Sequence, residues 1–178
     1  MAQASSTISG QKTFKSAITI SGTCTFTSAT KKITASGTSL SDLSVRDLIT
    51  VSGSASNNST FTISEVDANG TFVIVEEDVT SETVSADTVL TYVGFVTAKV
   101  KGDGYYSQTD GLHTVAYHVN ATCTGSLKMQ GSLATDPTED DYFDITGTTF
   151  TTDQSTLIST ANFTGNFVWV RAKATSVT

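Results

Sequence analysis

The sequence predicts an all-β protein, formed by two small antiparallel β-barrel or β-sandwich domains behind an extended N-terminal arm. Three observations support this fold class. Thr, Val, Ile, Phe and Tyr recur in short alternating runs, and β-branched and aromatic side chains suit a pleated, half-buried surface. The runs are separated by Gly, Asn, Asp and Ser, which favour turns. No stretch of ten residues shows the period of an amphipathic helix.

The size and charge of the chain exclude several classes of protein. Its 178 residues are enough to bury a core without disulfide or metal support. The longest apolar runs, Phe72–Val75 and Phe167–Val170, are far shorter than the roughly 20 residues of a membrane-spanning helix. Residues 1–10 lack the apolar region of a signal peptide. Residues 1–100 carry six Lys and Arg against nine Asp and Glu, and residues 101–178 carry four against eight, so neither half offers the basic surface that nucleic acid requires.

The N-terminal arm is predicted over residues 1–22, and the first domain over residues 23–100. Within the arm, a short stretch around Ile18 and Ile20 alternates, so we expect an arm that either frays or pairs with another subunit. The clearest signal in the first domain is Asn69-Gly70, which lies between two apolar runs. Because Asn-Gly readily adopts the two positive φ angles of a type I′ turn, we predict a β-hairpin here.

The second domain is predicted over residues 101–178, after a candidate boundary at Lys101–Gly104 that contains two glycines. The run His113–Val119 alternates between an apolar and a more polar face, as expected of a half-buried strand. The last strand is predicted over Phe163–Ala174, where Trp169 lies in a run that is apolar on both faces. Such a run is typical of a central core strand.

The cysteines and histidines do not form a metal-binding pattern. Cys24 and Cys123 are too few for a disulfide scaffold and too far apart for a metal knuckle, so we expect two reduced, buried thiols, with a disulfide between them as the alternative. His113 and His118 lie five residues apart on a predicted strand and therefore point to opposite faces. One metal ion does not reach both without a bend in the strand.

The strongest metal-binding candidate is an acidic group around the single proline. It consists of Asp136, Glu139, Asp140, Asp141 and Asp144. Clustered carboxylates suit calcium, but the spacing and the central glycine of an EF-hand are absent, and a solvated turn is the favoured interpretation. We therefore assign no metal ligand. The run Glu76–Asp78 is weaker still.

No catalytic motif is present. The sequence has no nucleophile elbow, no zinc-protease motif and no phosphate-binding loop before a helix, so we expect no enzymatic activity, no catalytic residue and no cofactor. Gly102-Asp103-Gly104 is interpreted as ordinary turn chemistry. Glycosylation patterns at Asn58, Asn120 and Asn162 are expected by chance in a chain with 57 Ser and Thr.

Four aromatic residues flank the predicted loops of the second domain. They are Tyr105, Tyr106, Tyr142 and Phe143. Exposed aromatic side chains on a β scaffold bind sugars or proteins. The same residues can also close the ends of a sandwich, which is the interpretation we prefer.

Two stretches of the sequence carry a resemblance to a known class of protein. The first runs from Lys32–Gly37 through Val45–Gly53 to Ser56-Asn-Asn-Ser-Thr-Phe-Thr-Ile63. It resembles a small β module of tailed-bacteriophage virion proteins, in which Gly is common at the position of Ser59. The second runs from Gly102-Asp-Gly-Tyr-Tyr-Ser-Gln-Thr-Asp-Gly-Leu-His-Thr-Val115 through Leu127–Phe143 to Asn162–Ala172. It is similar to a C-terminal β-sandwich in structural proteins of myophages that infect cyanobacteria.

The resemblance implies a non-enzymatic structural component of a phage virion, located in the particle. The implied partners are other virion proteins, such as major capsid or tail proteins, in a homo-oligomer or symmetric array without nucleic acid or membrane. Capsid decoration (cement) and a tail- or fibre-attached protein are the two roles that follow, with repeated weak contacts made by the arm and by exposed strand edges.

Two alternatives remain from other classes of function. A carbohydrate-binding module would recognise a host surface glycan through Tyr105, Tyr106 or a calcium-loaded acidic turn. A polysaccharide-degrading enzyme would use the clustered carboxylates Asp140 and Asp144.

Overall fold

The computed structural model describes residues 16–85, 88–106, 111–119, 124–153 and 158–175. Its regular structure consists of antiparallel β-strands and three short 3-10 helices, which confirms the prediction of an all-β protein. Contacts divide the chain into two compact units, one ending at Phe95 and the other continuing from Val96. We call them the N-terminal unit and the C-terminal unit. The limits predicted for the arm and the two domains stay predictions.

The N-terminal unit is a single ladder of antiparallel strands. Its described elements are β1 (Ile18–Thr19), β2 (Thr23–Thr27), a 3-10 helix (Ser28–Thr30), β3 (Lys32–Ala35), β4 (Asp47–Ser52), β5 (Thr60–Val66), β6 (Phe72–Val75), β7 (Glu82–Ser85) and β8 (Val89–Val96). Neighbouring strands follow the order β1-β8-β4-β5-β6-β3-β2-β7. Alternate side chains along β2 and β3, such as Phe26 and Ile33, are fully buried, so the unit has its own apolar core.

The alternating stretch of the predicted arm belongs in part to the N-terminal unit. Ile18 on β1 lies opposite Leu90 on β8, and the side chain of Ile20 is buried. The buried Ile20 ties this part of the chain to the ladder. The remainder of the predicted arm, residues 1–15, lies outside the described residues.

The predicted hairpin around Asn69-Gly70 is confirmed, because β5 and β6 pair antiparallel. The type I′ turn is wrong, since Gly70 has a positive φ of 66° but Asn69 does not. The turn spans Asp67 to Gly70 and is closed by the Gly70 N–H, which donates to the Asp67 carbonyl at 2.8 Å. The Asp67 carboxylate also accepts from the N–H and hydroxyl of Thr71, and this side-chain contact selects the longer turn.

The C-terminal unit contains two sheets. Its described elements are β9 (Val100–Lys101), a 3-10 helix η1 (Asp103–Tyr106), β10 (Leu112–His118), β11 (Thr124–Ser132), a 3-10 helix η2 (Glu139–Asp141), β12 (Phe143–Asp144), β13 (Phe150–Asp153), β14 (Ile158–Thr164) and β15 (Trp169–Thr175). In the larger sheet β11 pairs with β12, β13 and β15, and β15 also pairs with β9. β10 and β14 form a separate two-stranded sheet, which we call the ribbon.

One apolar cluster joins the ribbon to the larger sheet of the C-terminal unit. Tyr117 and Phe163 contribute from the ribbon, while Met129 and Val170 contribute from the larger sheet. Phe167, from the connection between β14 and β15, completes the cluster. The two sheets therefore bury their inner faces against each other, and the outer face of the ribbon is left at the surface.

The single last strand predicted over Phe163–Ala174 is wrong, because two strands occupy this range. Phe163 lies on β14, and β15 begins at Trp169. The chain turns at Gly165, where a Cβ would lie only 2.4 Å from the ring of Phe167. Trp169 is half-buried rather than central in the core, and its indole N–H donates to the Thr135 carbonyl at 2.9 Å. The polar edge of the indole ring requires such a partner, which favours a place near the surface.

Candidate interaction surfaces

The carboxylates of the predicted acidic group bind different partners. Glu139 accepts from Arg171 and, at 3.1 Å, from Lys173. Asp144 pairs with Lys128, and Asp141 accepts from the Thr138 N–H at 2.8 Å. In the described part of the chain, no group of three His, Cys, Asp or Glu side chains is arranged to hold a metal ion.

The solvated turn predicted for this acidic group is wrong for Glu139. Only 8% of its side chain is exposed, and 5% of the Arg171 side chain. Asp140 stays exposed and Asp136 pairs with Lys99 at the surface, so the prediction fits these two residues. The turn is thus fixed to the sheet by one buried carboxylate.

Arg171 is held from three sides on the outer face of the larger sheet. Its Nε and Nη2 donate to the side-chain oxygen of Gln130, its neighbour in the β11–β15 register, at 3.0 and 2.8 Å. Gln130 in turn donates to Asp144 at 2.8 Å, and the guanidinium lies 3.6 Å from the centre of the Tyr142 ring. Together with the ion pair to Glu139, these contacts fix the acidic turn to β15 and β11.

Three aromatic rings and two lysines form an exposed patch, which we call the aromatic–lysine patch. Tyr105 and Tyr106 are 41% and 57% exposed, and their ring centres lie 5.2 Å apart in an edge-to-face arrangement. The Tyr105 ring lies 5.3 Å from the ring of Trp169. Lys101 lies 3.8 Å from the centre of the Tyr105 ring and Lys99 4.9 Å from that of Trp169, both cation–π contacts.

Two glycines position the aromatic–lysine patch. A Cβ on Gly102 or Gly104 would lie 2.4 Å from a carbonyl oxygen of the connection between β14 and β15. The Gly104 N–H donates to the Phe167 carbonyl at 2.9 Å. The Gly102-Asp103-Gly104 segment therefore packs η1 closely against this connection and places Tyr105 beside Trp169. This positioning role goes further than the ordinary turn that the sequence predicts.

The four predicted aromatic residues fall into two separate places. Tyr105 and Tyr106 belong to the exposed patch, so closing the end of a sandwich does not describe them. Tyr142 covers the guanidinium of Arg171, and Phe143 is 44% exposed beside Phe167, with ring centres 5.9 Å apart.

The ribbon presents a second exposed surface. β10 and β14 pair in an unbroken register from Leu112 opposite Thr164 to His118 opposite Ile158. The outward side chains are all exposed and carry no Asp, Glu, Lys or Arg; they are Leu112, Thr114, Ala116, His118, Ile158, Thr160, Asn162 and Thr164. The alternation predicted for His113–Val119 is confirmed.

The two histidines lie on opposite faces of β10, as predicted. His113 faces inward, where its ring stacks on Phe163 with centres 5.0 Å apart, and its Nε2 lies 3.1 Å from the Gly165 carbonyl oxygen. His118 lies on the exposed outer face. The His113 ring therefore packs at the boundary of the core.

The loop before β5 is organised by Asn57, a residue that sequence reasoning missed. Asn57 is 3% exposed, and its amide exchanges hydrogen bonds with the backbone of Thr80 at 3.0 and 2.8 Å. The same amide donates to Glu82 at 2.9 Å, and Glu82 also accepts from the Ala55 N–H. Hydrogen bonds to Glu82, led by that of the Ala55 N–H, lower the pKa of its carboxyl. The only signal was an Asn pair inside a Ser-rich loop.

The Cys24 thiol is buried and free, as predicted. Burial raises the pKa of this thiol to about 11.

Cys123 and Asn120 lie outside the described residues. The amide of Asn58 donates to the Ser54 carbonyl at 2.6 Å, so it serves the same loop as Asn57.

Comparisons with known proteins give no relative for this chain. The chain matches no protein-family model, and the comparisons with curated proteins and with solved structures give no significant match. Among the described residues, no helix has the length and apolarity needed to cross a bilayer.

Proposed function

We propose that the chain is a non-enzymatic structural subunit of a tailed-bacteriophage virion, where it binds other virion proteins on the capsid or the tail. The observation that carries this proposal is the outer face of the ribbon, which is exposed and uncharged in a chain of net charge −7. The resemblance of the stretches beginning at Lys32 and Gly102 to phage structural proteins supplies the setting.

The proposed mechanism is assembly through weak contacts repeated by symmetry. Exposed strand edges pair with strands of neighbouring proteins by backbone hydrogen bonds, and the part of the predicted arm before β1 adds a further contact. Each contact is weak, but many linked contacts on one particle give a high overall affinity. We propose a small barrel or sandwich for each unit, supported in the C-terminal unit by the two sheets that share one core.

The hydrogen-bonded polar groups support a structural rather than a catalytic role. Arg171 and Glu139 are bound to each other, and the Asn57 amide bridges Thr80 and Glu82. Asp144, a candidate for carbohydrate hydrolysis, is paired with Lys128 and Gln130. Their hydrogen bonds hold loops and turns to the sheets.

Co-sedimentation tests the proposed function. The purified full chain is mixed with emptied capsids and, separately, with isolated tails of the phage whose genome encodes it, and an unrelated acidic protein of similar size serves as the control. We expect the chain to pellet with one of the two at a saturating ratio. Binding to neither structure would reject the proposal.

A second candidate function is glycan binding at the aromatic–lysine patch. Exposed rings such as Tyr106 stack on sugars, and Lys101 beside Tyr105 suits an acidic sugar. A glycan array tests this candidate with Tyr106→Ala and with Leu133→Ala, a matched change at another side chain that is 65% exposed. Binding lost only in Tyr106→Ala supports it, whereas no bound glycan and no thermal shift with calcium would reject it.

A further inference from the structure

We infer that the open edge of β10 pairs antiparallel with β10 of a second copy of this chain, about a two-fold axis at Val115. This inference rests on the assembly role proposed above and names the first partner of the ribbon. The resulting surface is a four-stranded sheet in the order β14-β10-β10-β14. The inference rests on the hydrogen-bond pattern, the sequence and the charge of the ribbon.

The backbone of β10 has one occupied and one open edge. The Gly165 N–H donates to the Gly111 carbonyl at 2.9 Å. Gly111 and Gly165, which lie next to the pair Leu112–Thr164, are therefore a hydrogen-bonded pair. Because hydrogen-bonded and non-hydrogen-bonded pairs alternate in an antiparallel ladder, odd-numbered residues of β10 bond to β14. The even-numbered residues direct their N–H and C=O groups to the other edge; they are Leu112, Thr114, Ala116 and His118. Within the described chain, no second strand pairs with β10.

The open edge lacks the features that normally prevent strand addition. Natural edge strands are protected by lysines, prolines, bulges or short length. β10 is seven residues long, and Leu112–His118 contains neither lysine nor proline. Its register with β14 is unbroken, whereas β5 and β6 are paired with a shift in register between Ile63 and Glu65.

The charge pattern of β10 permits a second copy as the partner. Two copies of a chain with net charge −7 repel each other over most of their surfaces. The strand that forms the contact, Leu112–His118, contains no Asp, Glu, Lys or Arg, so two copies pair along its edge without opposing like charges. An isologous contact also needs only one self-complementary surface.

The sequence of β10 is self-complementary about Val115. Two-fold antiparallel pairing places Leu112 opposite His118 and Thr114 opposite Ala116, and it places Val115 opposite its copy. The even-numbered residues then form the hydrogen-bonded pairs and contribute about eight backbone hydrogen bonds. The two Val115 side chains form a β-branched pair at the closely spaced position on the axis, which is a favourable cross-strand contact.

Sedimentation velocity of the full chain tests this pairing with two matched proline variants. The native chain is expected at about twice its monomer mass of 18.6 kDa at high concentration, dissociating on dilution. The N–H of Ala116 points to the open edge, so Ala116→Pro removes an intermolecular donor and leaves the β10–β14 bonds in place. Thr160→Pro is the control, because Thr160 lies opposite Ala116 and its N–H points to the other edge of the ribbon. We expect a monomer for Ala116→Pro and a dimer for Thr160→Pro.

Disulfide cross-linking tests the axis independently of any damage done by proline. A non-hydrogen-bonded pair has a Cα separation of about 4.5 Å, which a disulfide spans. In a Cys24→Ala, Cys123→Ala background, Val115→Cys is expected to form a covalent dimer on mild oxidation. Ala161→Cys is the control, since it would lie on the axis if β14 paired with β14 instead. A native chain that is monomeric at all concentrations, or cross-linking by Ala161→Cys in place of Val115→Cys, would overturn the inference.

The two proposals fail in distinguishable ways. A monomeric chain that still sediments with capsids or tails overturns the β10 pairing and leaves the proposed function standing. A dimer that cross-links at Val115→Cys but binds neither structure supports the pairing and rejects the virion role.

Discussion

The guanidinium of Arg171 on β15 and the carboxylate of Glu139 on η2 form a buried ion pair, which joins the acidic turn to the larger sheet. Lys173 contacts the same carboxylate, and Gln130 accepts two hydrogen bonds from Arg171. The loss of one partner from such a pair leaves a buried charge uncompensated, and this makes the pair a sensitive point of the C-terminal unit.

Removal of the Glu139 charge is expected to destabilise the fold strongly. Glu139→Gln leaves Arg171 and Lys173 without their counter-ion, and we expect the free energy of unfolding in urea to fall by about 3 kcal/mol. Asp140→Asn is the matched control, because Asp140 is the next residue and is exposed, and its effect should stay within about 0.5 kcal/mol. Equal effects of the two substitutions would contradict the buried pair.

Acid is expected to weaken the C-terminal unit through Asp144. Burial acts to raise the pKa of this carboxyl, but hydrogen bonds from Lys128 and Gln130 and the charges of Lys128 and Lys173 outweigh it and lower the pKa below 3.8. A lowered pKa stabilises the fold above the unfolded value, and this stabilisation is lost as the pH falls through the folded value. The native chain should therefore have a higher Tm than Asp144→Asn at neutral pH, and this difference should shrink below about pH 4. A difference that grows towards low pH would be inconsistent with this sign.

The Asn57 amide is expected to be essential for the order of its loop. Asn57→Ala removes the buried amide that bonds both backbone groups of Thr80 and the carboxylate of Glu82, so the free energy of unfolding should fall by about 1–3 kcal/mol. Ser56→Ala, at the neighbouring exposed position, is the control and should have little effect. Chemical denaturation of the three proteins measures both values. A loss as small for Asn57→Ala as for Ser56→Ala would refute the role of the amide.

Alkaline pH is expected to destabilise the N-terminal unit through Cys24. The pKa of the thiol rises from 9.0 to about 11, chiefly because the group is buried. Between these values the unfolded chain releases the proton and the folded chain keeps it, so the free energy of unfolding falls as the pH rises through the interval. The measurement is the slope of stability against pH from 8.5 to 11 in the native chain and in Cys24→Ala, which lacks the group. A slope that is the same in both proteins would rule out the buried thiol as its cause.

Local patterns are sufficient to predict the strand at His113–Val119 and the hairpin around Asn69-Gly70, but not the division of Phe163–Ala174 between two strands. The alternation in His113–Val119 needs only the period of a strand, and the hairpin at Asn69-Gly70 needs only a turn between two apolar runs. The turn type was wrong because a side chain, Asp67, competes with the Asn-Gly preference by accepting two hydrogen bonds from Thr71.

Contacts between distant residues were not predictable from the sequence. Arg171 and Glu139 are 32 residues apart, and only the packing of η2 on the sheet brings them together. Tyr105 and Trp169 are likewise far apart in the sequence, and only the fold brings their rings together. The sequence does predict Tyr105 and Tyr106 themselves as binding candidates. The uncharged face of the ribbon becomes visible only when the register of β10 with β14 is known, because no local run of residues reveals it.

Quantitative mass spectrometry of purified virions tests the proposed virion role most directly. Particles of the phage that encodes the chain are purified through a density gradient and a high-salt wash, and peptides of the chain are counted against those of the major capsid and tail proteins. The proposal predicts that the chain stays with the particles in a constant ratio to one of these proteins, in many copies. A chain that is abundant in infected cells but absent from washed virions would contradict it.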